Sequence, residues 1–231
     1  MPNVARLSSS SMLKGDIQIQ QPDRLASAIA RRAAEIRATV PDLELAIDVD
    51  AGPALTLARA GGYSLTAILV SAAATALREL PWANAAYRDG HFERYERVNI
   101  GVVVTTEDGL LIPAVLDADT KSLAQLTAEL GTLAARARSG ELTPPEQAGT
   151  TFTLSDFTAL AAYRITPMIT APQAAALTAG AVRRAPVVAD DVVVAGDVMT
   201  LTLACDHRIL FGERAARLLG RIAELVREPA R

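Results

Sequence analysis

The chain has 231 residues, half of them apolar, enough to bury a full core in one domain. A formal net charge of −3, with arginines spread along the chain, leaves no basic stripe for nucleic acid or an anionic membrane surface. A single cysteine, Cys205, excludes an internal disulfide and a cysteine-based metal cluster and suits a reducing cytoplasm.

The first 21 residues read as a leader and arm: a serine run, then the short alternation Ile17-Gln18-Ile19-Gln20 that could add to a sheet edge. They contain no apolar core of a signal peptide, and no window reaches the ~18 uncharged apolar residues of a membrane span. A single domain is expected over residues 22–231, soluble and cytoplasmic.

Leu25, Ala28, Ile29, Ala33 and Ile36 recur at helical spacing from Asp23 to Thr39, and Pro41 ends the pattern. Leu43, Leu45, Ile47 and Val49 alternate with polar residues as a half-buried strand. Ser64 is placed to cap an alanine-rich helix that runs to Leu80 and stops at Pro81. Asp89-Gly90 predicts a hairpin, Val98–Val104 a strand, and Asp108-Gly109 a second turn. Ser122 with Gln125 forms a capping box for a helix to about Arg138, closed by Gly140. A strand at Thr151, two strands around Ala179 to Val194, a strand from Met199 and a helix from Gly212 to Arg227 complete the chain. Helices alternate with strands, several joined by tight turns, so the fold class is α/β: a two-layer sandwich with a mixed sheet and packed helices. No glycine-rich phosphate loop and no metal-ligand cluster is present in the sequence.

Chemistry is concentrated at Cys205-Asp206-His207-Arg208, where the alternating strand Met199–Cys205 delivers one of only two histidines to its end. An imidazole titrates near neutrality and can take a proton from a hydroxyl or thiol, so His207 is the candidate general base. His91 lies beside the Asp89-Gly90 turn and is a poor substitute. Cys205 reads as a small core hydrophobe, since alternation turns its side chain away from that of the next position.

Asp206-His207-Arg208-Ile209-Leu210-Phe211-Gly212 resembles the Asp-His-Arg-x-x-Asp-Gly signature of the catalytic domains of 2-oxoacid dehydrogenase acyltransferases, which share the chloramphenicol acetyltransferase fold and mechanism. Thr151-Phe152-Thr153-Leu154-Ser155 is similar to that family's Thr-Phe-Thr-Ile-Ser strand. Ala171-Pro172-Gln173-Ala174-Ala175 is similar to its Pro-Pro-Gln-Ala-Ala turn, and Asp108–Val115 to its Asp-Gly-Leu-x-x-Pro-Val run. The motifs keep the family's order over about nine-tenths of the chain. The resemblance implies that Ser155 stabilises the tetrahedral oxyanion and that the enzyme is a homotrimer, or an assembly of trimers, with serine and histidine contributed by neighbours. It also implies a coenzyme A thioester as co-substrate, with no covalently bound cofactor and no acyl-enzyme.

Two departures shape the functional expectation. Phe211 stands in place of the family's acidic residue, and Asp156-Phe157-Thr158-Ala159-Leu160 replaces the glycine-rich segment after the serine. Phe211, Asp156 and Phe157 are therefore the expected substrate-contacting residues, with Phe211 either lining an acceptor pocket or packing in the core. Asp206 and Arg208 are expected to support the site by local pairing. The lysines are Lys14 and Lys121, and neither sits in the Asp-Lys-Ala lipoyl attachment motif. The reading put first is a stand-alone acetyl-CoA-dependent O-acetyltransferase of natural-product biosynthesis, acting on a small-molecule hydroxyl such as a tetronate hydroxymethyl group. The alternatives are the dihydrolipoamide acyltransferase core of a 2-oxoacid dehydrogenase complex and a non-catalytic oligomerisation scaffold.

Overall fold

A computed structural model describes Ile19 and residues 21–107, 109–189 and 191–229. The proposed sheet-edge arm, apart from Ile19, and Asp108 of the second turn lie outside the described residues. The first described element is α1 (Arg24–Thr39), where Asp23 Oδ1 accepts from the Ala26 amide at 2.7 Å and caps the first turn. Strand β1 (Asp42–Asp50) follows, then α2 (Gly52–Gly61) and α3 (Leu65–Glu79), whose N-cap Ser64 accepts from the Ala67 amide. The hairpin β2 (Ala85–Arg88) and β3 (His91–Arg94) turns at Asp89 and Gly90, both at positive φ, as an Asp-Gly turn between twisted strands requires.

Next come β4 (Ile100–Val102), β5 (Val104–Thr106), β6 (Gly109–Leu111), β7 (Ala114–Val115), α4 (Leu123–Ser139) and α5 (Pro144–Ala148). The Ser122–Gln125 capping box opens α4, and Gly140 at φ 76° closes it. The last part holds β8 (Phe152–Asp156), β9 (Ala175–Ala179), β10 (Arg183–Ala189), β11 (Val192–Asp206) and α6 (Gly212–Arg227).

Among the described residues, seven strands form one mixed sheet in the order β1-β11-β9-β8-β4-β7, with β10 on β11; β4, β8 and β9 run parallel and the other pairs antiparallel. One face is apolar: Leu45 on β1, Leu201 and Leu203 on β11, Leu177 on β9 and Leu154 on β8 belong to the core shared with α3 and α6. Ala67, Ala73, Ala74 and Ala76 of α3 are fully buried, and side chains this small let the helix approach closely. In α6, Ala215, Leu218, Leu219, Ile222, Ala223 and Val226 recur at the spacing of one helix face and are buried together.

The opposite face carries hydroxyls. Register pairing aligns Ala46, Thr202, Thr178 and Ser155 in one row across β1, β11, β9 and β8, so all four side chains share a face. The segment after Ser155 folds back over this face. Gly180 admits it, because a Cβ there would lie 2.0 Å from the Tyr163 carbonyl oxygen. Amide bonds from Ala181 to Ala162 O and from Val182 to Thr158 O hold the segment in place.

Three local expectations change. The strand expected over Val98–Val104 is two short strands, since the chain leaves the main sheet at Val103 to pair β5 with β6. The strands expected before and after Gly196 are one 15-residue strand, β11, because β10 pairs with its first half and β1 and β9 with its second. Helix α2 was not anticipated. Its signal was Pro53 at the start and Gly62 at a left-handed C-cap, with φ 68°.

Candidate active site

Strand β11 ends at Asp206, and the chain turns at once: the Asp206 carbonyl accepts from the Ile209 and Leu210 amides, both at 2.9 Å. The Asp206 carboxylate is buried and accepts from the Arg208 amide at 3.0 Å and from Arg208 Nε at 2.8 Å. The Arg208 guanidinium lies 4.3 Å from the centre of the Tyr87 ring, and its bonding to Asp206 raises its pKa further. His207 is exposed at the apex, its amide bonded to Pro41 O at 2.9 Å. The turn is thus fixed on both sides while the imidazole is free to meet another molecule. His91 is exposed at the start of β3.

Ser155 is near the end of β8, half-buried, on the hydroxyl-bearing face. It lines a cavity of about 530 Å³ with Phe157, Thr153 and Thr178, roofed by Ile29 and Ala33 of α1 and by Met168. Most of this wall is apolar. Thr153 Oγ1 is already engaged, donating to Gln173 Oε1 at 2.7 Å. The Asp156 carboxylate is engaged too: Oδ1 accepts from the Thr158 amide and hydroxyl, and Oδ2 from Thr66 Oγ1. It ties the segment after Ser155 to α3, whereas Phe157 faces the cavity.

The two expected catalytic side chains do not meet within one chain. Ser155 aligns through Thr178 with Thr202, and His207 lies five residues beyond Thr202 on β11. At about 3.4 Å per residue and about 4.8 Å per strand, the two Cα atoms are roughly 20 Å apart. A base must come within hydrogen-bond reach of the proton it takes, so a site that used both side chains would draw them from two copies of the chain.

Phe211 is 47% exposed at the N-cap of α6, with Arg214 stacked 4.9 Å from its ring. It is not among the residues that line the Ser155 cavity. Cys205 is fully buried, and burial, with Asp206 and Asp42 nearby, pushes its thiol up to about 12. It is therefore not a thiolate nucleophile near neutral pH. Arg32, Arg88, Arg94 and Arg97 line an open cleft of about 720 Å³ together with Pro172 and Gln173. Sequence reasoning singled out neither that cleft nor Thr178. The one hydroxyl in the otherwise apolar run Ala174–Ala179 was the available signal for the latter.

The model of the 2-oxoacid dehydrogenases acyltransferase catalytic domain matches residues 16–231. The acetyltransferase component of the Zymomonas mobilis pyruvate dehydrogenase complex is 34% identical over 210 residues, covering 87% of this chain and 48% of that protein. The chain thus spans about half the length of the curated relatives it matches.

Azotobacter vinelandii dihydrolipoamide acetyltransferase superposes with a TM-score of 0.88 at 28% identity, covering 99% of this chain and 98% of that structure. The cubic core of a pyruvate dehydrogenase multienzyme complex gives the same score, identity and coverage. A chloramphenicol acetyltransferase, at 15% identity and a TM-score of 0.55 over 85% of this chain and 94% of that one, shares the fold.

The Azotobacter enzyme was studied for the roles of a serine, a histidine and an asparagine in its catalytic mechanism, spaced 52 and 4 residues apart. Ser155, His207 and Phe211 have the same two spacings here. The relatives matched over nearly the whole chain are dihydrolipoamide-type acetyltransferases, not tetronate O-acetyltransferases, which corrects the order of the functional readings drawn from sequence. With the family's model matched from residue 16 to the C-terminus, the chain belongs to the 2-oxoacid dehydrogenase acyltransferases, as their catalytic domain.

Proposed function

We propose that this chain transfers an acetyl group between coenzyme A and the thiol of a dihydrolipoyl arm. The lipoyl arm and coenzyme A enter as substrates; the chain supplies the base and the oxyanion donor. His207 removes the proton of the attacking thiol as its sulfur bonds the thioester carbonyl carbon. The carbonyl oxygen becomes an oxyanion that Ser155 Oγ–H stabilises. The carbon–sulfur bond to the departing thiol then breaks, and His207 returns the proton to that sulfur. The same steps run in either direction, and no bond to the protein is made.

The observation that carries this reading is the separation of Ser155 and His207 to opposite ends of the sheet at a spacing shared with a dihydrolipoamide acetyltransferase. A cyclic homotrimer brings His207 of one copy to the Ser155 cavity of the next, which also explains why an exposed imidazole stands on so firmly braced a turn. The apolar cavity wall suits the lipoyl hydrocarbon better than a polar acceptor.

The test is complementation between two inactive variants, His207→Ala and Ser155→Ala. Mixed, unfolded and refolded together, they should recover roughly a quarter of wild-type activity with acetyl-CoA and dihydrolipoamide, since each mixed cyclic trimer keeps one intact interface. No recovery from hybrids shown to be mixed would rule out a shared site.

A further inference from the structure

Among the described residues, Thr178 Oγ1 and Thr202 Oγ1 are buried with no hydrogen-bond partner, and the two residues are directly paired across β9 and β11. A native structure seldom leaves a hydroxyl in that condition without a reason. The two differ in one respect. Thr178 also pairs with Ser155 on β8 and lines the same cavity, whereas Thr202 does not.

Thr178 is 1% exposed, and its Oγ1 has essentially no accessible surface, so this oxygen does not itself face an incoming substrate. Thr178 is paired across the parallel strands β8 and β9 with Ser155. A serine hydroxyl donates one hydrogen bond and accepts two. Ser155 can therefore serve the oxyanion with its proton only if that proton is not spent elsewhere.

We propose that Thr178 is a positioning residue for Ser155: its Oγ1–H donates to Ser155 Oγ in the substrate complex and commits the Ser155 proton to the oxyanion. A bond accepted by Ser155 Oγ also polarises its O–H and strengthens the bond it donates. Packing of β9, whose five residues are all buried, keeps the threonine in register with the serine. The proposal rests on the assignment of Ser155 to the oxyanion.

The experiment measures acetyl transfer by Thr178→Val, Thr178→Ser, Thr202→Val, Ser155→Ala and the Ser155→Ala/Thr178→Val double variant, all as the full chain. Valine keeps the shape and strand preference of threonine while removing the hydroxyl. Thr178→Val should lower kcat about tenfold, a fraction of the ~10²–10³ that an oxyanion donor is worth, with both KM values within about twofold of wild type. Thr178→Ser should recover most of that loss, and Thr202→Val should keep wild-type kcat. Because Thr178 acts through Ser155, the double variant should be no slower than Ser155→Ala alone.

Wild-type kcat in Thr178→Val beside an impaired Ser155→Ala would overturn this inference and leave the Ser155 assignment standing. Unimpaired Ser155→Ala would overturn the assignment and the inference together. Equal losses in Thr178→Val and Thr202→Val would reduce Thr178 to a buried structural hydroxyl.

Discussion

Asp206 and Arg208 bracket His207 and bond to each other across it, the buried carboxylate receiving the Arg208 amide and guanidinium from two residues away. The pair sets the direction of the turn that presents the imidazole. Arg208→Ala should leave the Asp206 carboxylate buried without its partner and cost about 2–3 kcal/mol, toward the low end of such losses because the guanidinium is partly exposed. Chemical denaturation should show this as a lower midpoint at unchanged slope. Transfer activity should fall with it, and a variant as stable and active as wild type would remove the pair from the account.

His207→Ala should reduce transfer by about 10² to 10⁴ while leaving the thermal midpoint within a degree or two of wild type, because the exposed imidazole is not part of the core. Activity with acetyl-CoA and dihydrolipoamide, read beside a melting curve, checks both halves. Full activity would mean that another base does the work.

Phe211 tests what the family's polar residue at this position does. It is the N-cap of α6, with extended backbone and no side-chain bond to the first turn. Phe211→Asn supplies that bond, worth about 1 kcal/mol, against roughly 0.5 kcal/mol for the lost Arg214–ring contact at an exposed site. A higher melting temperature is expected, together with faster transfer to dihydrolipoamide. A lower one would show that the contacts of the ring stabilise the protein more than the cap does.

The Cys205 thiol, pushed up to about 12, should stay unreactive at pH 8, where iodoacetamide should leave activity intact in the folded protein. The same elevation has a consequence for stability. Below the thiol's ordinary value of 9.0 both native and unfolded chains keep the proton, and the contribution is fully present. Between 9.0 and about 12 the unfolded thiol ionises first, so stability is lost as pH rises. Cys205→Ala should flatten this part of the stability–pH curve in denaturation experiments; an unchanged slope would assign the alkaline loss to other groups.

Local chemistry wrote much of this fold into the sequence. Asp23, Ser64 and the Ser122–Gln125 box mark helix starts because each side chain answers backbone amides within three residues, and the apolar repeat of α6 names its own buried face. Alternation over Met199–Cys205 likewise delivers His207 to a strand end, and the family motifs name Ser155. These signals rest on neighbours in the chain and need no tertiary knowledge. The tertiary structure alone decided that β10, β1 and β9 share β11, that Thr178 stands beside Ser155, and that Asp156 is taken up by Thr66 ninety residues away. It also decided that Ser155 and His207 lie at opposite ends of the sheet, since register between strands distant in sequence is fixed by which faces the whole core buries.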